Sequence, residues 1–140
     1  WRFQSWTYWD MCSLFTKDTA GQHVPNMEAL RAFIRPYARA IAGTPRSTSF
    51  DYSSGNYSLA YEIGNVADAA LGSSAAPTEI YLPSLVYPRG YVLAVSPSGL
   101  TCGACPLYAH VSPKLAHDLL CCSAPPSVAG LATISVVRKA

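Results

Sequence analysis

The chain is poor in charge, and it contains no long run of hydrophobic residues. Charged residues make up 13% of the 140 residues, the formal net charge is +2, and lysine and arginine form no cluster. A basic patch marks nucleic-acid binding, so we expect no nucleic-acid partner. No stretch reaches the roughly 18 apolar residues that span a bilayer. Hydrophobic residues nevertheless make up 50% of the chain, which is enough for a packed core and argues against disorder.

The N-terminal part predicts one strand, one loop and one helix. Residues 1–9 are aromatic without a polar face, which favours a strand buried on both sides. Residues 10–25 show little periodicity and predict a long loop. Asn26 is a candidate N-cap for a helix that Pro36 should end or kink, because the proline ring clashes with the preceding turn. The apolar stripe of this helix, at helical spacing, consists of Leu30, Phe33, Ile34 and Tyr37.

From Gly43 onward the apolar residues alternate with polar ones, which predicts strands. Thr48, Phe50 and Tyr52 share one strand face, and Tyr57–Ile63 alternates in the same way. The Ser-Ser-Gly-Asn turn between these runs predicts a hairpin. Further strands are predicted at 78–82, 91–96, about 107–111 and 131–138. Short strands at this spacing favour a sandwich over a βαβ arrangement.

The N-terminal strand and helix cannot bury each other completely. At about 25 cal/mol per Å² of apolar surface, several exposed aromatic side chains would forfeit several kcal/mol. We therefore expect another surface, from the same polypeptide or from a companion chain, to cover them.

Several ordered blocks of sequence resemble a known family. They are RPYARAIAGTP (35–45), STSFDYSSGNYSLAY (47–61), APTEIYLPSLVYPRGYVLAVS (76–96) and ATISVVRK (132–139). In this order and spacing they resemble the C-terminal region of endoglycoceramidase-like enzymes of glycoside hydrolase family 5. The resemblance implies a mainly β chain, in which the last strand, loop and helix of a TIM barrel (1–42) precede a C-terminal antiparallel β-sandwich (43–140).

The same resemblance implies a function in glycolipid and sphingolipid metabolism. These enzymes are retaining β-glycosidases that hydrolyse the bond between sugar and lipid, a reaction that needs two carboxylates about 5 Å apart and no cofactor. The family carries both glutamates on earlier barrel strands, so Glu28, Glu62 and Glu79 are not catalytic candidates. We expect the chain to be inactive alone, with the N-terminal barrel portion as its partner and a glycolipid, free or at a membrane surface, as the substrate.

Trp9 and Asp10 are the substrate-binding candidates that the resemblance supplies. In the family, the eighth barrel strand ends in a tryptophan that forms a platform beneath the sugar, and the loop after it lies at the active face. The alternatives are that Trp9 fills the barrel interior and that Asp10 and His23 are solvated loop residues.

Four of the five cysteines lie in a segment at about 98–128 where the resemblance fades, which predicts an insertion. Cys102, Cys105, Cys121 and Cys122 have the spacing C-x₂-C-x₁₅-C-C. This resembles a zinc framework, with His110 or His117 as further ligands, but it lacks a second C-x₂-C knuckle. Two disulfides within the segment are favoured, because the resemblance points to a secreted, vesicular, lysosomal or membrane-associated enzyme; free thiols are the third alternative. Cys12 is left over, either as a free thiol or bonded to the missing part of the enzyme.

Two smaller features complete the predictions. Asn56-Tyr57-Ser58 is an N-glycosylation sequon in the predicted hairpin turn. Ser112-Pro113 opens a short predicted helix that runs through Leu120.

Two other functions remain open. The chain could be a stand-alone carbohydrate- or lipid-binding module, whose aromatic platform would come from Tyr81, Tyr87, Tyr91 and Tyr108. These residues equally suit strand packing, which we favour. It could also be a structural protein that keeps a degenerate glycosidase fold.

Overall fold

A computed structural model of the chain describes residues 14–64, 76–105 and 117–139. The strands predicted at 1–11 and at about 107–111 lie outside these residues. The chain divides into two compact units, Trp1–Ile34 and Arg35–Ala140. Among the described residues, no helix is long and apolar enough to cross a membrane.

The first unit contains a short hairpin where a loop was predicted. Strands β1 (Phe15–Lys17) and β2 (His23–Pro25) pair antiparallel. Between them, the Asp18 carboxylate accepts hydrogen bonds from the amides of Ala20, at 2.9 Å, and Gln22, at 2.8 Å. The prediction of a long loop over 10–25 is therefore wrong at these two strands, because strands of three residues are too short to show an alternating pattern.

Helix α1 (Met27–Phe33) begins as predicted and ends before Pro36. The Asn26 side chain caps it by accepting a hydrogen bond from the Ala29 amide at 3.2 Å. Ile34 is the C-cap and adopts an extended conformation. The next residue, Arg35, precedes Pro36, and the residue before a proline is also driven away from helical geometry. Tyr37, predicted to continue the apolar stripe of the helix, instead begins the first strand of the sandwich.

The first sheet of the sandwich has the strand order β4-β5-β10-β7, and all its pairs are antiparallel. Its strands are β4 (Gly43–Phe50), β5 (Tyr57–Ile63), β7 (Tyr91–Ser96) and β10 (Gly130–Arg138). The predicted hairpin is confirmed as β4–β5, although Tyr52 lies in the turn and not in the strand. The predicted strands at 91–96 and 131–138 are confirmed as well.

The second sheet has the order β3-β6-β9-β8, and it is also antiparallel. Its strands are β3 (Tyr37–Ala40), β6 (Thr78–Tyr81), β8 (Thr101–Ala104) and β9 (Leu119–Ser123). The prediction of a helix through Leu120 is wrong at its end, because β9 begins at Leu119. The described part of the cysteine-containing segment is built into the sheet, since β9 lies between β6 and β8.

Side chains from both sheets form one core. Tyr57, Leu59 and Tyr61 of β5 are buried together with Ile80 of β6 and Leu120 of β9. Each large apolar side chain removed from water contributes about 1.5–3 kcal/mol. Because β3 also pairs with β6, residues 37–40 belong to the sandwich, and the division between the units falls after Ile34 instead of after residue 42.

Candidate functional site

Trp9, Asp10 and Cys12 lie outside the described residues, as do Tyr108 and His110. Their predicted roles are therefore not addressed by the geometry. His23 is exposed in the short strand β2, and no grouping of metal-ligating side chains among the described residues includes it.

The two glutamates of the sandwich are each paired with an arginine of the neighbouring strand. Glu62 in β5 lies 2.6 Å from Arg46 in β4, with both side chains about half exposed. Glu79 in β6 is buried and lies 3.7 Å from Arg39 in β3. The two carboxylates belong to different sheets, and each contributes to a cross-strand ion pair. Glu28 lies in the first turn of α1, where its negative charge favours the helix N-terminus.

The tyrosines predicted as a possible platform mostly pack inside the sandwich. Tyr87 is 4% exposed, and its ring lies 5.6 Å from that of the partly buried Tyr91. Burial raises the pKa of Tyr87 to about 12. Tyr81 is partly buried against a small second cluster of apolar residues, which contains the cysteines Cys105 and Cys121. Packing, the alternative favoured from sequence, describes these three residues.

A different set of aromatic residues is exposed on the sandwich. They surround an open cleft of about 290 Å³, which we call the aromatic cleft. Tyr37 and Tyr52 are 50% and 53% exposed, and the ring of Phe50 lies 4.7 Å from that of Tyr52. The lining residues are Arg35, Pro36, Tyr37, Thr48, Ser49, Phe50, Tyr52 and Tyr57.

Two hydroxyl groups that line the aromatic cleft are hydrogen-bonded to each other. The Thr48 hydroxyl donates a hydrogen bond to the Tyr57 hydroxyl at 3.3 Å, and burial raises the pKa of Tyr57. No carboxylate lies among the described residues that line the cleft. The cleft therefore offers ring faces, hydroxyl groups and one guanidinium, which suits binding of an apolar or sugar-like surface and not acid–base chemistry.

The β4–β5 turn that carries the sequon is held by one carboxylate. Asp51 accepts hydrogen bonds from the hydroxyls of Ser53 and Ser54, each at 2.7 Å, and from the Ser53 amide at 2.9 Å. These bonds, the one from the Ser54 hydroxyl foremost, lower the pKa of Asp51 from 3.8 to about 2. Asn56 ends the turn with its side chain exposed. It lines a second cleft, of about 410 Å³, together with Phe50, Asp51 and residues of β5 and β10.

The cysteines form two disulfides, as favoured from sequence. Cys102 is bonded to Cys122, and Cys105 is bonded to Cys121. Adjacent residues of a strand point to opposite faces of a sheet. Accordingly, Cys122 lies in the main core and Cys121 in the second cluster. The four sulfur atoms cannot converge on one zinc ion in this arrangement. The sulfurs of Cys105 and Cys121 also lie near the Glu79 carboxylate, but a disulfide supplies no thiolate ligand.

Two features were missed from sequence. Tyr37 was assigned to a helix and Tyr52 to a strand face, so no pattern indicated that the two would line one cleft. A signal for the end of the helix was present in Pro36, since proline breaks a helix interior and the residue before it is driven towards extended structure.

The fold and the site together define the class of domain. It is a disulfide-linked antiparallel β-sandwich with an exposed aromatic cleft. The chain belongs to the glycoside hydrolase family 5 C-terminal domain family, whose model matches residues 35–118. No curated protein sequence matches the chain.

Solved structures of similar fold include those of two enzymes. Endo-glycoceramidase II from Rhodococcus sp., as its lactosyl-enzyme intermediate, is 28% identical over 87% of this chain, with a TM-score of 0.51. Sterylglucosidase 1 from Cryptococcus neoformans is 23% identical over 79% of this chain, with a TM-score of 0.53, and at that identity it indicates the fold alone. The chain spans only 22% of the first of these proteins and 14% of the second.

Proposed function

We propose that the chain is the C-terminal part of a retaining β-glycosidase that cleaves the sugar–lipid bond of glycolipids. The observation that carries the proposal is the match to the family 5 C-terminal domain together with 28% identity to an endo-glycoceramidase over 87% of this chain. In this proposal the two catalytic glutamates belong to a barrel in the remainder of the polypeptide or in a companion chain. Trp9 and Asp10 are its candidates for contact with the sugar.

The role proposed for the sandwich is to close and buttress that barrel. Arg35 and Pro36, the first two residues of the sandwich unit, line the aromatic cleft, so the cleft surrounds the point where the chain enters the sandwich. Tyr37 and Tyr52 leave about half of their surface in water there. Covering apolar surface yields about 25 cal/mol per Å², so a catalytic domain resting on the cleft would stabilise both partners.

The proposal is tested by assaying a longer polypeptide, one that carries the barrel, for hydrolysis of glycolipids. We expect it to release sugar from glucosylceramide or a longer glycosylceramide, and we expect the 140-residue chain alone to release none. A longer protein that contains both glutamates and cleaves no glycolipid would refute the substrate assignment and favour a degenerate structural role.

The buttress role has a separate test. Tyr37→Ala with Tyr52→Ala should lower the Tm of the longer protein more than that of the 140-residue chain, because only the longer protein covers the cleft. The control is Val92→Ala, which removes apolar surface at an exposed position of β7 outside the cleft. An equal decrease of Tm in the two proteins would contradict the buttress role.

A stand-alone carbohydrate- or lipid-binding module is the second candidate, and the half-exposed rings of Tyr37 and Tyr52 favour it. It predicts that lactose or a short-chain glycolipid shifts the NMR signals of the cleft residues in the 140-residue chain. The buttress proposal predicts no such shift.

A further inference from the structure

Asn56 begins the single Asn-X-Ser/Thr sequence of the chain, Asn56-Tyr57-Ser58. The middle residue is not proline, and such sequences are glycosylated where they lie in surface loops of secreted proteins. Asn56 is exposed at the end of the β4–β5 turn. The sequon therefore lies where an attached glycan would not disturb the core.

The turn also has a defined shape. Asp51 bonds the two serines that follow it, and its amide donates a hydrogen bond to the Asn56 carbonyl at 2.9 Å. Arg138 of β10 reaches across to donate a hydrogen bond to the Ser53 carbonyl at 3.3 Å. These bonds hold the backbone of the turn in a defined shape, so the attachment residue Asn56 has a defined backbone position.

The two disulfides indicate the compartment that this modification requires. Cys102–Cys122 links β8 to β9, and Cys105–Cys121 links the residue that follows β8 to β9. Disulfides form and persist in secretory and extracellular compartments and are rare in the cytosol.

Aromatic rings flank the attachment point. Asn56 and Phe50 line the same cleft, and Tyr52 packs edge-on against Phe50 with a ring-centroid distance of 4.7 Å. Tyr52 is 53% exposed. Sugar rings present apolar C–H faces, and these pack favourably on the face of an aromatic ring.

We propose that Asn56 carries an N-linked glycan whose first sugar packs against the Phe50–Tyr52 ring pair. In the 140-residue chain, where no catalytic domain covers the aromatic cleft, the glycan covers part of the exposed surface of Tyr52 and stabilises the β4–β5 hairpin. The inference does not rest on the glycosidase function, because it uses only the sequon, the turn, the Phe50–Tyr52 ring pair and the disulfides.

The modification is tested by secreting the full chain from eukaryotic cells and measuring its mass before and after treatment with an N-glycan-removing amidase. We expect a loss of mass equal to one glycan. Asn56→Gln and Ser58→Ala should abolish it, whereas Ser58→Thr, which keeps the sequon, should retain it. Secreted chain with both disulfides formed and no glycan on Asn56 would refute the modification.

Packing of the sugar on the rings is tested by comparing purified glycosylated and glycan-free forms. We expect the glycan to raise the Tm of the wild-type chain and to give no gain in Tyr52→Ala. The control is Leu85→Ala, an exposed apolar residue that lines neither cleft, which should keep the full gain. A gain that persists in Tyr52→Ala would contradict the packing while leaving the modification established.

Discussion

Gly43 begins β4 where the backbone of β5 approaches too closely for a side chain. A Cβ atom on Gly43 would collide with the carbonyl oxygen of Glu62 and lie 2.8 Å from the Gly64 amide nitrogen. Both atoms belong to the backbone, and neither can turn away as the end of a flexible side chain would. The φ angle of +154° adds to the constraint.

We expect Gly43→Ala to lower the free energy of unfolding by about 2 kcal/mol or more, since the two strands must separate to admit the methyl group. The matched control is Gly103→Ala in the edge strand β8, where a Cβ atom would have no neighbour within 4 Å. Its effect should stay within about 0.5 kcal/mol. Urea unfolding measures the free energy of unfolding of both variants. A loss in Gly43→Ala as small as that in Gly103→Ala would mean that β4 and β5 can move apart at little cost.

A single carboxylate, that of Asp51, accepts the side-chain hydrogen bonds within the turn of the β4–β5 hairpin. Asp51 has a pKa of about 2 in the folded chain, against an ordinary value of 3.8, because serine hydroxyls bond its ionised form. A depressed pKa contributes stability above the unfolded value, and that stability is lost as the pH falls towards the folded value. The turn should therefore weaken between about pH 4 and pH 2.

An NMR titration of the Asp51 carboxyl group measures its pKa in the folded chain. Ser54→Ala should raise the pKa towards 3.8, because the Ser54 hydroxyl is the largest cause of the shift. Ser84→Ala, in the turn after β6, should leave it unchanged. A pKa that stays near 2 in Ser54→Ala would mean that the hydroxyl bond does not hold the carboxylate.

Some elements could be predicted from sequence and others could not, for physical reasons. The strands β5, β7 and β10 each bury one face, so their residues alternate and their positions were predicted closely. Four consecutive residues of β9, Leu119–Cys122, are buried. Apolar and polar residues therefore do not alternate along β9, and its short sequence resembles part of a helix. The strand β3 is only four residues long and follows a helix almost directly, so its tyrosine was read as a continuation of the helix.

The candidate site was harder to predict than the sheets. The disulfide character of the four cysteines followed from the family resemblance, but their pairing required the register of β8 against β9, which places Cys102 opposite Cys122. The aromatic cleft combines the start of β3 with the end of β4 and its turn. Such a combination depends on which strands enter which sheet, and local sequence patterns do not carry that information.

At the scale of the whole molecule, the described sandwich is built entirely from the second compact unit, Arg35–Ala140. Both four-stranded sheets and the core that they share are built from residues after Ile34. The strand β3 is part of this structure, since Ala38 and Ile41 pack on the core and the Ala42 amide donates a hydrogen bond to the buried Thr78 hydroxyl at 3.0 Å. Without β3, the strand β6 would become an exposed edge with unpaired backbone groups.

A pair of truncated chains tests this boundary. Residues 35–140 should unfold cooperatively, whereas 43–140 should be less stable and prone to association, because it exposes Ile80 and removes the arginine that pairs with Glu79. Thermal unfolding followed by circular dichroism, with light scattering for association, measures both. Equal Tm values would mean that β3 contributes nothing to the sandwich. Failure of 35–140 to fold would mean that the first compact unit is needed as well, and the whole chain, not the sandwich, would then be the folding unit that a catalytic domain must stabilise.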